Sequence, residues 1–243
     1  MKNFIKKVLM MIFGFAFSSL VRRKNYLLKN FRGGYHSINE LDKQLEKYVD
    51  YDNGFYVELG ANDGVNQSNS LYFELNRNWK GVLVEPSPHN FLLCREQRSN
   101  KNRIFCNACV GFDYEDKYVD IKYANLMSIS ENLALDIEDK EAHLESSKAH
   151  LKETETVFAF GAVAKTLNSL LEKAEAPKVI DFLSLDVEGA ELEVLKGINF
   201  EKFSFKYMLI EVRNLKRVED FLIERGYVLE KQFSSHDYLF KCV

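Results

Sequence analysis

The chain has 243 residues, 33 Lys and Arg against 36 Asp and Glu, and a formal net charge of -3. That length suits one sizeable α/β domain, and 46% hydrophobic with 13% aromatic residues is a packed globular composition rather than a disordered one. The slightly acidic balance excludes a broad basic surface, so no nucleic-acid partner is expected. No internal repeat, low-complexity tract or proline-rich linker divides the chain.

In chain order, the first feature is Val8–Val21, apolar almost all round, with Lys2, Lys6 and Lys7 before it and Arg22, Arg23 and Lys24 after. A helix of about fourteen residues reaches ~21 Å, short of the ~30 Å hydrocarbon core of a bilayer. A signal-peptide core, a short or tilted anchor, an interfacial helix and a helix docked on the protein's own surface all fit this pattern. The basic flanks favour membrane association through residues 4–24, with the remaining domain in the cytoplasm. Residues 1–30 are therefore expected to form a separate segment, and 31–243 the folded domain.

Within that domain, Ser37-Ile-Asn-Glu40 reads as a capping box ahead of Leu41, Leu45, Tyr48 and Val49 at helical spacing. Phe55–Leu59 is a buried strand, Ser68–Asn76 a helix, and Val82–Glu85 a second strand. Ser87-Pro88 then opens another helix. Arg103–Val110 reads as the third strand. Asp181–Asp186 and Tyr207–Val212 are two further buried strands, with a helix over Ala190–Lys196 closed by Gly197. A helix over Leu215–Arg225 precedes Tyr227–Phe233 and Tyr238–Cys242, which alternate as an antiparallel hairpin around Ser234-Ser235-His236.

The fold class expected is α/β: a doubly wound, mostly parallel, Rossmann-like seven-stranded sheet with an antiparallel C-terminal hairpin. One insertion, about 113–165, interrupts it with a hairpin at Tyr118–Tyr123 and a charged stretch, Glu131–Glu155. It follows a strand end, where α/β proteins bind ligands, and so suits an acceptor-binding lid. Cys106 and Cys109 have C-x-x-C spacing, but on one strand their side chains point to opposite faces. Neither Cys94 nor Cys242 completes a zinc set, so no metal is expected and the thiols read as structural.

The residues that carry chemistry sit at strand ends. Strand, glycine turn and helix at 54–76 present backbone N–H groups to a nucleotide-like ligand. A dinucleotide fingerprint requires G-x-G-x-x-G, yet only Gly60 and Gly64 are glycines here, and Glu58 stands two positions before the first. That suits a cofactor with a cationic amino-acid tail, S-adenosylmethionine, better than a pyrophosphate. Glu85 ends the second strand, where a carboxylate accepts from ribose hydroxyls. Asp186 and Glu188 follow the fourth strand at the same sheet edge, and Glu211 ends the fifth. A strand-end acid also caps the following helix in many proteins. His236, beside a turn, is reached from the hairpin.

Three segments, FYVELGANDGVNQSNS, WKGVLVEPSP and DFLSLDVEGAELEVLKG, occur in order and together resemble the FkbM family of S-adenosylmethionine-dependent methyltransferases, over roughly residues 34–242. The resemblance implies that Glu58, Gly60, Asn62, Asp63 and Gly64 line the methionine end of the cofactor. It implies Glu85 at the ribose and Asn107 near the adenine, and Ser68 and Asn69 match the family's loop-to-helix pattern. Family members are typically O-methyltransferases, so the expected partner is a carbohydrate or natural-product hydroxyl. Asp186 is then the first choice for the group taking the hydroxyl proton, with Glu188 and His236 next. An N-methyltransferase, a small-metabolite methyltransferase, and an inactive cofactor-binding partner in glycan assembly are the alternatives.

Overall fold

The computed structural model describes residues 34–133, 135–136, 145 and 156–243. The apolar run Phe55–Leu59 forms β1, with its last four residues buried. Lys80–Val84 (β2) and Arg103–Phe105 (β3) lie parallel on one side of it. On the other side lie Val179–Leu185 (β8) and Ser204–Glu211 (β9), also parallel. Asp237–Cys242 (β11) pairs antiparallel with β9 and with Tyr227–Gln232 (β10), so the sheet runs β10-β11-β9-β8-β1-β2-β3.

Alternation along β1 sends successive side chains to opposite faces, and each face has its own helices. Val57 and Leu59 join the layer that packs on Leu167–Lys173 (α4), Glu191–Lys196 (α5) and Leu215–Ile223 (α6). Tyr56 faces the other way, toward Leu41–Leu45 (α1), Leu71–Asn76 (α2), Pro88–Gln97 (α3) and Trp79. Glu58 shares that second face by alternation. Each aliphatic side chain so buried contributes roughly 1.5–3 kcal/mol.

Three local readings are corrected. Arg103–Val110 is not one strand: β3 stops at Phe105, and Ala108–Cys109 (β4) leaves the main sheet to pair parallel with Phe158–Lys165 (β7). Asn107 marks the break, its Nδ2 donating to Val163 O at 3.0 Å. Tyr118–Tyr123 is not a hairpin but a single strand, β5, antiparallel both to β7 and to Ile129–Ser130 (β6). These strands form a second, four-stranded sheet, β4-β7-β5-β6. Finally, Glu40 is not the capping acid. Asn39 and Glu40 have positive φ, and Asp42 takes that role, accepting from His36 N at 2.6 Å and from Ser37 Oγ at 2.7 Å.

The segment 1–30 and most of Glu131–Glu155 lie outside the described residues. Among those described, no helix is long and apolar enough to cross a membrane. The thiols of Cys94, Cys106, Cys109 and Cys242 are all free, and burial pushes Cys94 and Cys109 up to about 12. Those two buried thiols are poor nucleophiles at neutral pH.

Candidate active site

A cavity of about 410 Å³ opens at the carboxyl ends of β1, β2 and β8, where a doubly wound sheet holds its ligands. Its floor is the turn after β1. Gly60 adopts φ +77°, and a Cβ there would lie 1.9 Å from the carbonyl oxygen of Asp186, so only glycine lets the ends of β1 and β8 approach. The small sheet forms the roof through Val119, Ile121 and Ser130. It is tied down on the far side, where Asp136 N donates to Gly189 O at 2.9 Å.

Glu58 lies on the wall but its oxygens are engaged. Oε1 accepts from Asn69 N (2.8 Å) and Ser68 Oγ (3.0 Å), and Oε2 from Ser70 Oγ (2.6 Å) and Arg98 Nη1 (3.3 Å). Arg98 turns inward from the end of α3. It also donates to Gly64 O at 2.9 Å, to Tyr56 Oη at 2.8 Å and to Glu74 Oε2 at 2.8 Å. Burial alone would raise Glu74, but Arg98, together with donors from Tyr56 Oη and Ser99 N, holds the carboxyl below its ordinary value. Sequence reasoning missed Arg98, because nothing in the local pattern separates it from a surface residue.

Asp63 and Gly64 stand behind the wall rather than on it. The Asp63 carboxylate closes the turn, accepting from Val65 N at 2.9 Å and Asn66 N at 2.8 Å. Gly64 packs on Cys94 and Arg98. Ser68 holds Leu71 N at 3.1 Å and so starts α2. Asn69 donates through Nδ2 to Ser184 Oγ at 3.0 Å, leaving its Oδ1 buried with no hydrogen-bond partner. Gly60, Asn62, Ser68, Asn69, Glu85 and Asn107 all line the cavity.

Glu85 sits where the ribose acid is expected. It accepts from Asn62 N and Ser87 N, each at 2.8 Å, and burial raises it to about 7. Across the mouth, Asp186, Glu188, Glu211 and His236 line the same cavity. Burial first, then Glu211, Glu188 and Glu191, push Asp186 well above the carboxylate range. Burial and Glu211 raise Glu188 to about 7, although Arg213 Nη2 donates to it at 3.0 Å. His236 is exposed on the rim, its backbone N held by Ser234 Oγ at 3.1 Å. Glu191 reaches back from α5 to accept from Val187 N (3.1 Å) and Gly189 N (3.0 Å), fixing the turn that presents Asp186 and Glu188. No group of three or more metal-ligating side chains is assembled among the described residues.

The acceptor set fits an adenosyl amino acid. Two buried side-chain oxygens without a partner among the described residues, Asn69 Oδ1 and Ser130 Oγ, both belong to residues that line this cavity. Glu85 retains acceptor capacity beyond the two N–H groups it holds. The strand order, with one antiparallel strand, a glycine turn after β1 and acids after β2 and β8, defines a class I methyltransferase fold, whose usual cofactor is S-adenosylmethionine. The chain belongs to the FkbM methyltransferase family: the Methyltransferase FkbM domain matches residues 58–229.

Two solved structures are similar at low identity. PH1948 from Pyrococcus horikoshii, a proposed RNA methyltransferase, is 14% identical with a TM-score of 0.40, covering 91% of this chain and 96% of its own. The precorrin-6y C5,15-methyltransferase of Geobacter metallireducens GS-15 is 12% identical with a TM-score of 0.41, covering 83% and 85%. No curated protein matches the sequence.

Proposed function

We propose that this chain is an S-adenosylmethionine-dependent O-methyltransferase that acts on a sugar hydroxyl in a glycan, glycolipid or related natural product. The observation that supports this most is Asp186: a carboxyl raised by burial and by neighbouring acids, on the same cavity as the Gly60 turn and Glu85. A carboxyl with a raised pKa is a stronger base once ionised, which suits it to accept a proton from a weakly acidic hydroxyl.

When bound, S-adenosylmethionine supplies an electrophilic methyl group on a sulfonium. Glu85 holds the ribose hydroxyls and Asn107 borders the adenine side. Asp186 accepts the hydroxyl proton as the acceptor oxygen becomes nucleophilic. Glu188 and Glu211, with Arg213 between them (3.0 and 3.7 Å), accept from other hydroxyls of the acceptor and orient it. Ser130 offers a further contact from the roof. The same acidic wall also suits an amine acceptor, so N-methylation is the second reading. In the proposed arrangement, residues 4–24 hold the domain at a membrane face on the cytoplasmic side.

Titration calorimetry of the full chain with S-adenosylmethionine tests the cofactor, and a folded protein with no binding ends the proposal. Incubation with methyl-tritiated S-adenosylmethionine and lipid-linked glycan extract tests the acceptor. The expected product carries an alkali-stable O-methyl ether; label found only on nitrogen favours the second reading.

A further inference from the structure

The acid two residues before the glycine turn is the obvious partner for the ammonium of a cofactor's amino-acid end. The structure gives that acid another occupation. Both oxygens of Glu58 already accept from Ser68, Asn69 N, Ser70 and Arg98, at 2.6–3.3 Å. A carboxylate offers about four lone-pair sites, so those four donors leave Glu58 little capacity for a further one.

Beside it is an oxygen with the opposite status. Asn69 lines the cavity, and its Oδ1 is buried and accepts nothing among the described residues. Leaving such an acceptor unmade costs about 1–3 kcal/mol, and native structures retain few of them without a reason. The orientation of the amide is set on one side by Nδ2, which donates to Ser184 Oγ at 3.0 Å. On the other side, the Asn69 backbone N is pinned to Glu58 at 2.8 Å. Ser184 pairs in register with Glu58 on the neighbouring strand, so both anchors belong to the rigid centre of the sheet. A carbonyl oxygen has no proton to give, so the group that completes it is a donor.

We infer that Asn69 Oδ1, rather than Glu58, is the side-chain acceptor for the α-ammonium of the cofactor, and that Glu58 serves as the anchor that holds Asn69 in place. This rests on the cofactor proposed above. Glu58 is thus a positioning residue, and Asn69 the one that touches ligand.

The test is the affinity of the full chain and its Asn69→Ala variant for three probes. S-adenosylhomocysteine has the whole amino-acid end, decarboxylated S-adenosylhomocysteine keeps only its amine, and 5′-methylthioadenosine has neither group. Loss of a hydrogen bond to a charged group is expected to weaken the first two by about 10- to 100-fold. The third is expected to change by less than about twofold, which also reports that the variant is folded. Equal weakening of all three would make Asn69 a structural residue. Weakening of S-adenosylhomocysteine alone would mean that the amide reads the carboxylate, and no weakening at all would remove it from the site. Each of these overturns the assignment. The double variant gives an independent check: if Glu58 acts through Asn69, adding Glu58→Gln to Asn69→Ala weakens the amine-bearing pair no further, and a further loss selective for that pair would return the ammonium to Glu58. A wild-type chain that binds none of the probes refutes the cofactor itself, which is a different result from any of these.

Discussion

Two clusters of acids here are perturbed in opposite directions, through Glu74 in one and Asp186 in the other. Behind the glycine turn, Glu58 and Glu74 share the Arg98 guanidinium, which burial has stripped of water. At the cavity mouth, Asp186 is crowded by Glu188 and Glu211, and the partly exposed Arg213 pairs with those two. Burial pushes both Glu74 and Asp186 upward, yet Glu74 ends below its ordinary value and Asp186 well above. The difference is the Arg98 cation, joined at Glu74 by donors from Tyr56 and Ser99 N. A carboxylate paired in a dry site serves architecture, whereas one crowded by its own kind keeps its proton to higher pH and is the stronger base once ionised.

The largest effect that would break this contrast is Arg98→Met. It strands Glu58 and Glu74 without a counter-charge, and breaking a buried pair costs about 3–5 kcal/mol. Urea denaturation is expected to show that loss, together with loss of S-adenosylhomocysteine binding. Asp186→Asn comes next. Removing a general base is expected to lower kcat by about 10²- to 10⁴-fold. Cofactor affinity is expected to hold, and a variant with unchanged turnover would take Asp186 out of the proton path. In the wild type, turnover is expected to rise with pH as Asp186 ionises.

A smaller effect sharpens the contrast through pH. Glu191 moves from 4.5 to about 7 on folding, chiefly by burial. Between those values the folded state binds more protons than the unfolded one. Its contribution to stability is therefore full below pH 4.5 and lost as pH rises through about 7. Glu191→Gln keeps an oxygen for the N–H groups of Val187 and Gly189. It is expected to stabilise the chain by ~1–3 kcal/mol at pH 8 and to do little at pH 4, as read by urea melts. The smallest effect is that of Arg213→Gln. Without that cation, Glu188 is expected to rise further, while the acid limb of the pH–rate profile, set by Asp186, is expected to move by less than about one unit.

Much of this was legible in the sequence. The seven main strands and their helices follow from apolar runs punctuated by Gly60, Gly197 and Gly226. The strand-end acids Glu85, Asp186 and Glu188 follow from where those runs stop. What was hidden depends on distant partners. The break at Cys106-Asn107 exists because β4 pairs with a strand far along the chain, and no local pattern announces β7. Arg98 closes a helix like any surface arginine, and only the fold places it against Glu58. Asp63 and Gly64 share the motif of Gly60 and Asn62, yet the turn rotates them behind the wall. Motif membership fixed their neighbourhood but not their direction.

The antiparallel pairing of β5 with both β6 and β7 has a consequence for how the chain tolerates insertions. The chain leaves the small sheet at Ser130 and re-enters it at Phe158, so whatever lies between begins and ends on the same roof. A change of length there never passes through the seven-stranded floor, and doubling a loop costs only about 0.6 kcal/mol in closure entropy. Length can change there at little cost to the sheet beneath.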